Sequence, residues 1–86
     1  MKFEATPHFN QRLQKKLKKQ PAVKEKISKQ LKLLAHNIKH PSLKVHKLKG
    51  KRNQEFSLRV EDDLRITFVI INNTILLTDI ITHDEY

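Results

Sequence analysis

No cysteine occurs among the 86 residues, so neither a disulfide framework nor a thiolate zinc site is available, and the core must hold without staples. No apolar run is long enough to span a bilayer, and Met1-Lys2-Phe3-Glu4 lacks the apolar stretch of a signal peptide. A cytoplasmic protein with no membrane partner is the expectation. Glycine is almost absent, and Gly50, the only one, marks a loop with Lys49, Lys51, Arg52 and Asn53. Acid is nearly missing from half the chain. Of the 18 Lys and Arg residues, all but Lys2, Arg59 and Arg65 lie between Gln11 and Arg52, where Glu25 is the only acid. From Asn53 onward the balance reverses, with Arg59 and Arg65 set among Glu55, Glu61, Asp62, Asp63, Asp79, Asp84 and Glu85.

What remains is a single small domain, residues 1–86, with 37% hydrophobic residues, a net charge of +9 and a pI near 10.1. A basic helical half joined to a mildly acidic strand half implies a polyanionic partner. Nucleic acid is favoured over a lipid surface, because no exposed aromatic anchor face is evident.

Thr6-Pro7 reads as a helix start after a short strand from Lys2 to Ala5: Thr6 serves as N-cap, and Pro7 stands where its missing N–H costs nothing. Phe9, Leu13 and Leu17 form one apolar stripe on a basic helix ending near Gln20-Pro21. Val23, Ile27, Leu31, Leu34, Ala35 and Ile38 mark a second, longer helix that Pro41 closes. The period then changes to alternation: an edge strand from Val45 to Leu48, then Phe56 to Val60, Leu64 to Ile71 and Ile75 to Ile81. The expected fold is α+β, an N-terminal strand and a two-helix antiparallel hairpin covering one face of an antiparallel sheet of three to four strands.

Turn parity decides which side chains share a face. With Glu61-Asp62-Asp63 as a three-residue loop, Val60 pairs with Leu64, Leu58 with Ile66, and Arg59 lies opposite Arg65. Like charges directly opposite are destabilising, so this pair suggests an anion between them. At Asn72-Asn73 a two-residue type I′ turn would place Asp79 opposite Ile66 on the buried face. A three-residue connection, Asn72-Asn73-Thr74, avoids this. It aligns Glu55, Ser57, Arg59, Arg65, Thr67, Asp79 and His83 on the open face, at the cost of also placing Ile75, Leu77 and Ile81 there, an apolar surface for a partner or terminal segment.

The order of elements together with His40-Pro41-Ser42-Leu43, His46-Lys47-Leu48-Lys49-Gly50, Leu58-Arg59-Val60, Leu64-Arg65-Ile66-Thr67-Phe68 and Thr82-His83-Asp84-Glu85-Tyr86 resembles the RelE/ParE superfamily of bacterial type II toxins. His83 and the terminal aromatic Tyr86 bring it nearer to the RelE, YoeB and YafQ branch than to the gyrase-poisoning ParE branch. The resemblance implies a metal-free endoribonuclease that cuts mRNA on the ribosome, with no cofactor, and a cognate antitoxin encoded beside it. Two positions depart from the family pattern: Ile81 stands where glycine is usual, and Tyr86 follows His83 by three residues rather than four.

Cleavage through the ribose 2′-hydroxyl needs a base, an acid and cations for the phosphorane charge. His83 is the expected base or acid, with a side chain that titrates near neutrality. Arg59 and Arg65 are expected to hold the scissile phosphate, Arg65 standing where the family has its strand arginine. Tyr86 would stack on a base or position the phosphate, while Lys47, Lys49, Lys51 and Arg52 would grip flanking RNA. Glu55 and Asp79 are candidates either for acid–base work, as a glutamate is in YoeB-like enzymes, or for salt bridges. Arg59 and Arg65 can equally pair with Glu55, Asp79 or the acidic loop. His36, His40 and His46 have a metal-like spacing, but without cysteine and with Pro41 ending the helix no metal site is expected. The basic surface calls for an acidic, amphipathic antitoxin segment. A ParE-like gyrase inhibitor, or a non-catalytic member binding only RNA or antitoxin, is the alternative.

Overall fold

The computed structural model describes residues 2–50 and 54–82. The elements run β1 (Lys2–Ala5), α1 (Pro7–Lys19), α2 (Val23–His36), a single 3₁₀ turn (Pro41–Leu43), β2 (His46–Lys47), β3 (Phe56–Glu61), β4 (Leu64–Ile71) and β5 (Thr74–Thr82). The architecture is α+β, as expected. The strands form one sheet in the order β1-β5-β4-β3-β2, antiparallel except for β1, which runs parallel to β5 at the edge.

α1 begins as its sequence dictates: Thr6 Oγ1 accepts from the Phe9 amide at 3.0 Å, and Pro7 occupies the first turn. Its last turn carries Lys16, Lys18 and Lys19 against the negative end of the helix dipole. α2 ends at His36, two residues short of Ile38; Asn37 caps it with an extended backbone. The β2 strand is shorter than the Val45–Leu48 span, because only His46 and Lys47 pair with β3.

α1 packs on β5 and α2 on β3, so both helices cover one face. The core there joins Phe9, Val23, Ile27 and Leu34 to Leu58, Ile66, Phe68 and Ile80, with Phe56 stacked on Phe68 at 5.6 Å between ring centroids. Each fully buried residue of this kind contributes about 1.5–3 kcal/mol. No helix among the described residues is long and apolar enough to cross a membrane.

Both turns differ from expectation in the same way. Arg59 does pair with Arg65 and Leu58 with Ile66, but Glu61 rather than Val60 pairs with Leu64: the turn is Asp62-Asp63, and the extra residue is a bulge at Val60. At the other end Asn72 and Asn73 form a two-residue turn, with φ of 48° and 62°, the left-handed pair that a type I′ turn requires. Ile71 pairs with Thr74, and Phe68 with Leu77. The conflict over Asp79 is resolved further along, by a bulge at Thr78 that returns Thr67 to Asp79 and Ile66 to Ile80. Ile75 and Leu77 therefore lie in the helix-side core rather than on the open face, and of the three apolar residues placed there only Ile81 remains, opposite Arg65.

Candidate functional site on the open sheet face

The Thr78 bulge builds the centre of the open face. Ser57 and Thr67, in register on β3 and β4, are both fully buried, and each begins a hydrogen-bonded arm. On one side Thr67 Oγ1 and Thr78 Oγ1 are 2.7 Å apart, and Thr78 Oγ1 donates to Glu55 Oε1 at 2.6 Å. Thr78 has a single proton and gives it to the carboxylate, so Thr67 donates to Thr78. On the other side Ser57 Oγ lies 3.3 Å from His46 Nε2, and His46 Nδ1 lies 3.2 Å from the Lys44 carbonyl. A carbonyl only accepts, so Nδ1 carries the proton, and in the neutral ring Nε2 is the acceptor for the Ser57 hydroxyl. A polar row thus crosses four strands, with an imidazole acceptor at one end and a carboxylate at the other.

The next row on this face, two residues along the strands and about 7 Å away, is cationic: Arg59 opposite Arg65. Their repulsion is relieved by the intervening turn. Arg59 Nη2 donates to Asp62 Oδ1, and Arg65 Nη1 donates to the Glu61 carbonyl at 2.6 Å. The Arg59 guanidinium holds the Asp62 carboxyl below the usual aspartate range. Beneath Arg59, Gln30 of α2 donates its side-chain amide to the Arg59 carbonyl at 2.7 Å and the Ser42 carbonyl at 3.3 Å, bracing strand, helix and 3₁₀ turn together.

The sequence-derived site residues fall as follows. Arg59 and Arg65 stand opposite one another on the open face, and Glu55 shares that face through its contact with Thr78. Asp79 stands opposite Thr67 in register, but its carboxylate turns to α1, 3.1 Å from His8 Nε2 and 3.4 Å from Arg12 Nε; the place beside Thr67 belongs to Thr78. Lys47 and Lys49 are exposed, and Lys47 pairs with Phe56, on the helix-side parity. Lys51, Arg52, His83 and Tyr86 lie outside the described residues. Among the described residues no three metal-ligating side chains converge, and His36, His40 and His46 do not form a cluster. His40 instead caps the 3₁₀ turn, its Nδ1 accepting from the Ser42 amide at 3.2 Å.

Three contributors escaped sequence reasoning. Gln30 interrupts the apolar stripe between Ile27 and Leu34, which was its signal. His46 falls opposite Ser57, visible only once β2 is in register. Thr78 becomes an open-face residue only through its bulge.

No family model and no curated protein matches the chain significantly by sequence. Solved structures do match it in shape. YafQ from E. coli strain BL21(DE3) superposes with a TM-score of 0.80 at 18% identity, over 95% of this chain and 92% of that one. A YoeB/ParE toxin from Agrobacterium tumefaciens gives a TM-score of 0.81 at 16% identity, over 96% and 99%. A chain of the heterotetrameric YoeB–YefM toxin–antitoxin complex from Staphylococcus aureus gives 0.78 at 19% identity, over 96% and 97%. The protein therefore has the fold of the YafQ, YoeB and YoeB/ParE toxins.

Proposed function

We propose that this protein is the toxin of a type II toxin–antitoxin pair and acts as an endoribonuclease on mRNA engaged with the ribosome. The observation that carries this reading is the cationic row Arg59–Arg65 lying directly beside the Glu55–Thr78–Thr67 and Ser57–His46 row, on the open face of this fold. A base, a second titratable group and two guanidinium groups within neighbouring rows are the parts that cleavage through the 2′-hydroxyl needs.

In this mechanism a base, Glu55 or the His46 imidazole, takes the 2′-hydroxyl proton. The 2′ oxygen bonds to phosphorus, the bond to the 5′ oxygen breaks, and an acid protonates that oxygen, leaving a 2′,3′-cyclic phosphate and a free 5′-hydroxyl. His83 is the proposed acid. Arg59 and Arg65 exchange their contacts in the turn for the scissile phosphate and stabilise the charge that grows on it. Tyr86 stacks on a neighbouring base, and Lys47, Lys49, Lys51 and Arg52 hold the flanking backbone. No metal or cofactor takes part. Asp79 has no chemical role, since His8 and Arg12 hold its carboxylate on the helix side.

The partner is an antitoxin with an acidic, amphipathic binding segment. The net charge of +9 supports this chemistry, and the toxin–antitoxin complex among the structures that share the fold supports an antitoxin as the partner. The test is to express the protein and map mRNA 3′ ends, and to add purified protein to a translating extract with His46→Ala, Glu55→Gln and His83→Ala as comparisons. A ParE-like gyrase inhibitor is the second reading, favoured by the YoeB/ParE toxin that shares the fold. It would leave mRNA intact and trap gyrase on DNA.

A further inference from the structure

A groove of about 550 Å³ lies between α2 and the β3–β4 turn, far larger than one phosphate group needs. Lys26, Lys29 and Arg59 line it. Three cations in one groove repel one another, and here the chain supplies its own neutralising charge, because Glu61, Asp62 and Asp63 form the rim. Lys26 Nζ donates to Glu61 Oε1 at 2.7 Å, and Arg59 donates to Asp62. Both contacts are exposed to water: the Asp62 side chain is 95% accessible and that of Lys26 61%.

Exposed pairs of this kind are weak and screened by salt, whereas a guanidinium can bind phosphate through two parallel charge-assisted hydrogen bonds. The carboxylates are therefore exchangeable counter-ions. The backbone beneath them is not exchangeable, since the Gln30 amide fixes the Arg59 carbonyl from below. Only the guanidinium has to swing.

We propose that this groove is the entrance to the phosphate site at Arg59, that its resident anion is the Glu61–Asp62 turn, and that the RNA phosphate reaches Arg59 by displacing Asp62. The identity of the ligand as RNA rests on the ribonucleolytic reading above; the exchange itself does not. The acidic turn would then act as an internal competitor, which an incoming anion must outbind to reach Arg59.

Titration of the full chain with inorganic phosphate at low ionic strength tests this, read from the backbone amide shifts of Lys26, Lys29 and Gln30. Asp62→Asn should lower the half-saturating phosphate concentration about 2- to 5-fold, the range expected for removing one exposed competitor. Asp63→Asn changes the net charge equally, but Asp63 makes no ion pair among the described residues, so its effect should be smaller. In an Arg59→Gln background the gain from Asp62→Asn should vanish. Equal gains from Asp62→Asn and Asp63→Asn, or a gain that survives the loss of Arg59, would overturn the exchange. Intact mRNA in the translating extract, with phosphate exchange as described, would remove only the RNA assignment.

Discussion

Thr78 Oγ1 stands 2.7 Å from Thr67 Oγ1 because Thr78 is the one residue of β5 with no opposite number on β4. The bulge does two things at once. It returns the register to Thr67 opposite Asp79 and Ile66 opposite Ile80, and it inserts a hydroxyl that relays Thr67 to the Glu55 carboxylate. Thr6 fastens the bulge from the helix side, donating its hydroxyl to the Thr78 carbonyl at 3.3 Å.

Replacing Thr78 by Val keeps the β-branched shape and removes the hydroxyl, taking one hydrogen bond from Thr67 and one from Glu55. The expected loss is about 1–3 kcal/mol in denaturant unfolding, with weaker RNA cleavage, while Thr78→Ser retains most of both. A Val variant as stable and active as the native chain would show that the relay has no consequence.

Gln30→Leu keeps the volume of a buried side chain but strips two carbonyls of their donor. A loss of about 1–3 kcal/mol is expected. Faster amide exchange around Arg59 should accompany it, since the brace reaches that strand from α2.

At the β4–β5 turn Asn73 has a φ of 62°. Val there should cost about 1–2 kcal/mol, because β-branched residues resist the left-handed region, whereas Gly should be tolerated. Thermal unfolding of the two variants checks this.

Asp79→Asn should lower stability by about 1 kcal/mol through its contacts with His8 and Arg12. Cleavage should be unchanged. Loss of cleavage in a stably folded variant would return Asp79 to the site.

The Arg59–Asp62 contact has a defined pH sense. The carboxyl of Asp62 titrates below the usual aspartate range in the folded chain, chiefly through its hydrogen bond to Arg59. The contact is therefore intact above the ordinary aspartate value and is lost as pH falls through the lowered one. Arg59→Gln should raise the Asp62 midpoint, followed by NMR of its carboxyl carbon. An unmoved midpoint would mean that Arg59 does not hold it.

Much of this was legible in the chain. Thr6-Pro7 announced α1, Val23 began α2, and alternation with an assumed three-residue loop set Leu58 against Ile66 and Arg59 against Arg65, a register that the structure reaches instead by a two-residue turn and the bulge at Val60. The parity conflict at Asp79 was also legible, but two solutions exist, a longer turn or a bulge. Choosing between them depends on contacts distant in sequence, Thr6 on the Thr78 carbonyl and α1 cations on Asp79, which no local pattern carries. His46 was hidden for a similar reason: a two-residue edge strand has too little alternation to announce its register.

The account stands on Glu55 and its neighbours being a cleavage site. Mapping of mRNA 3′ ends after induction of the native chain and of a folded Glu55→Gln variant tests that most directly. New ends should appear with the native chain and fall by about 10²-fold or more with Glu55→Gln, the scale of a lost general base. Intact mRNA with the native chain, or equal cutting by both, would contradict it.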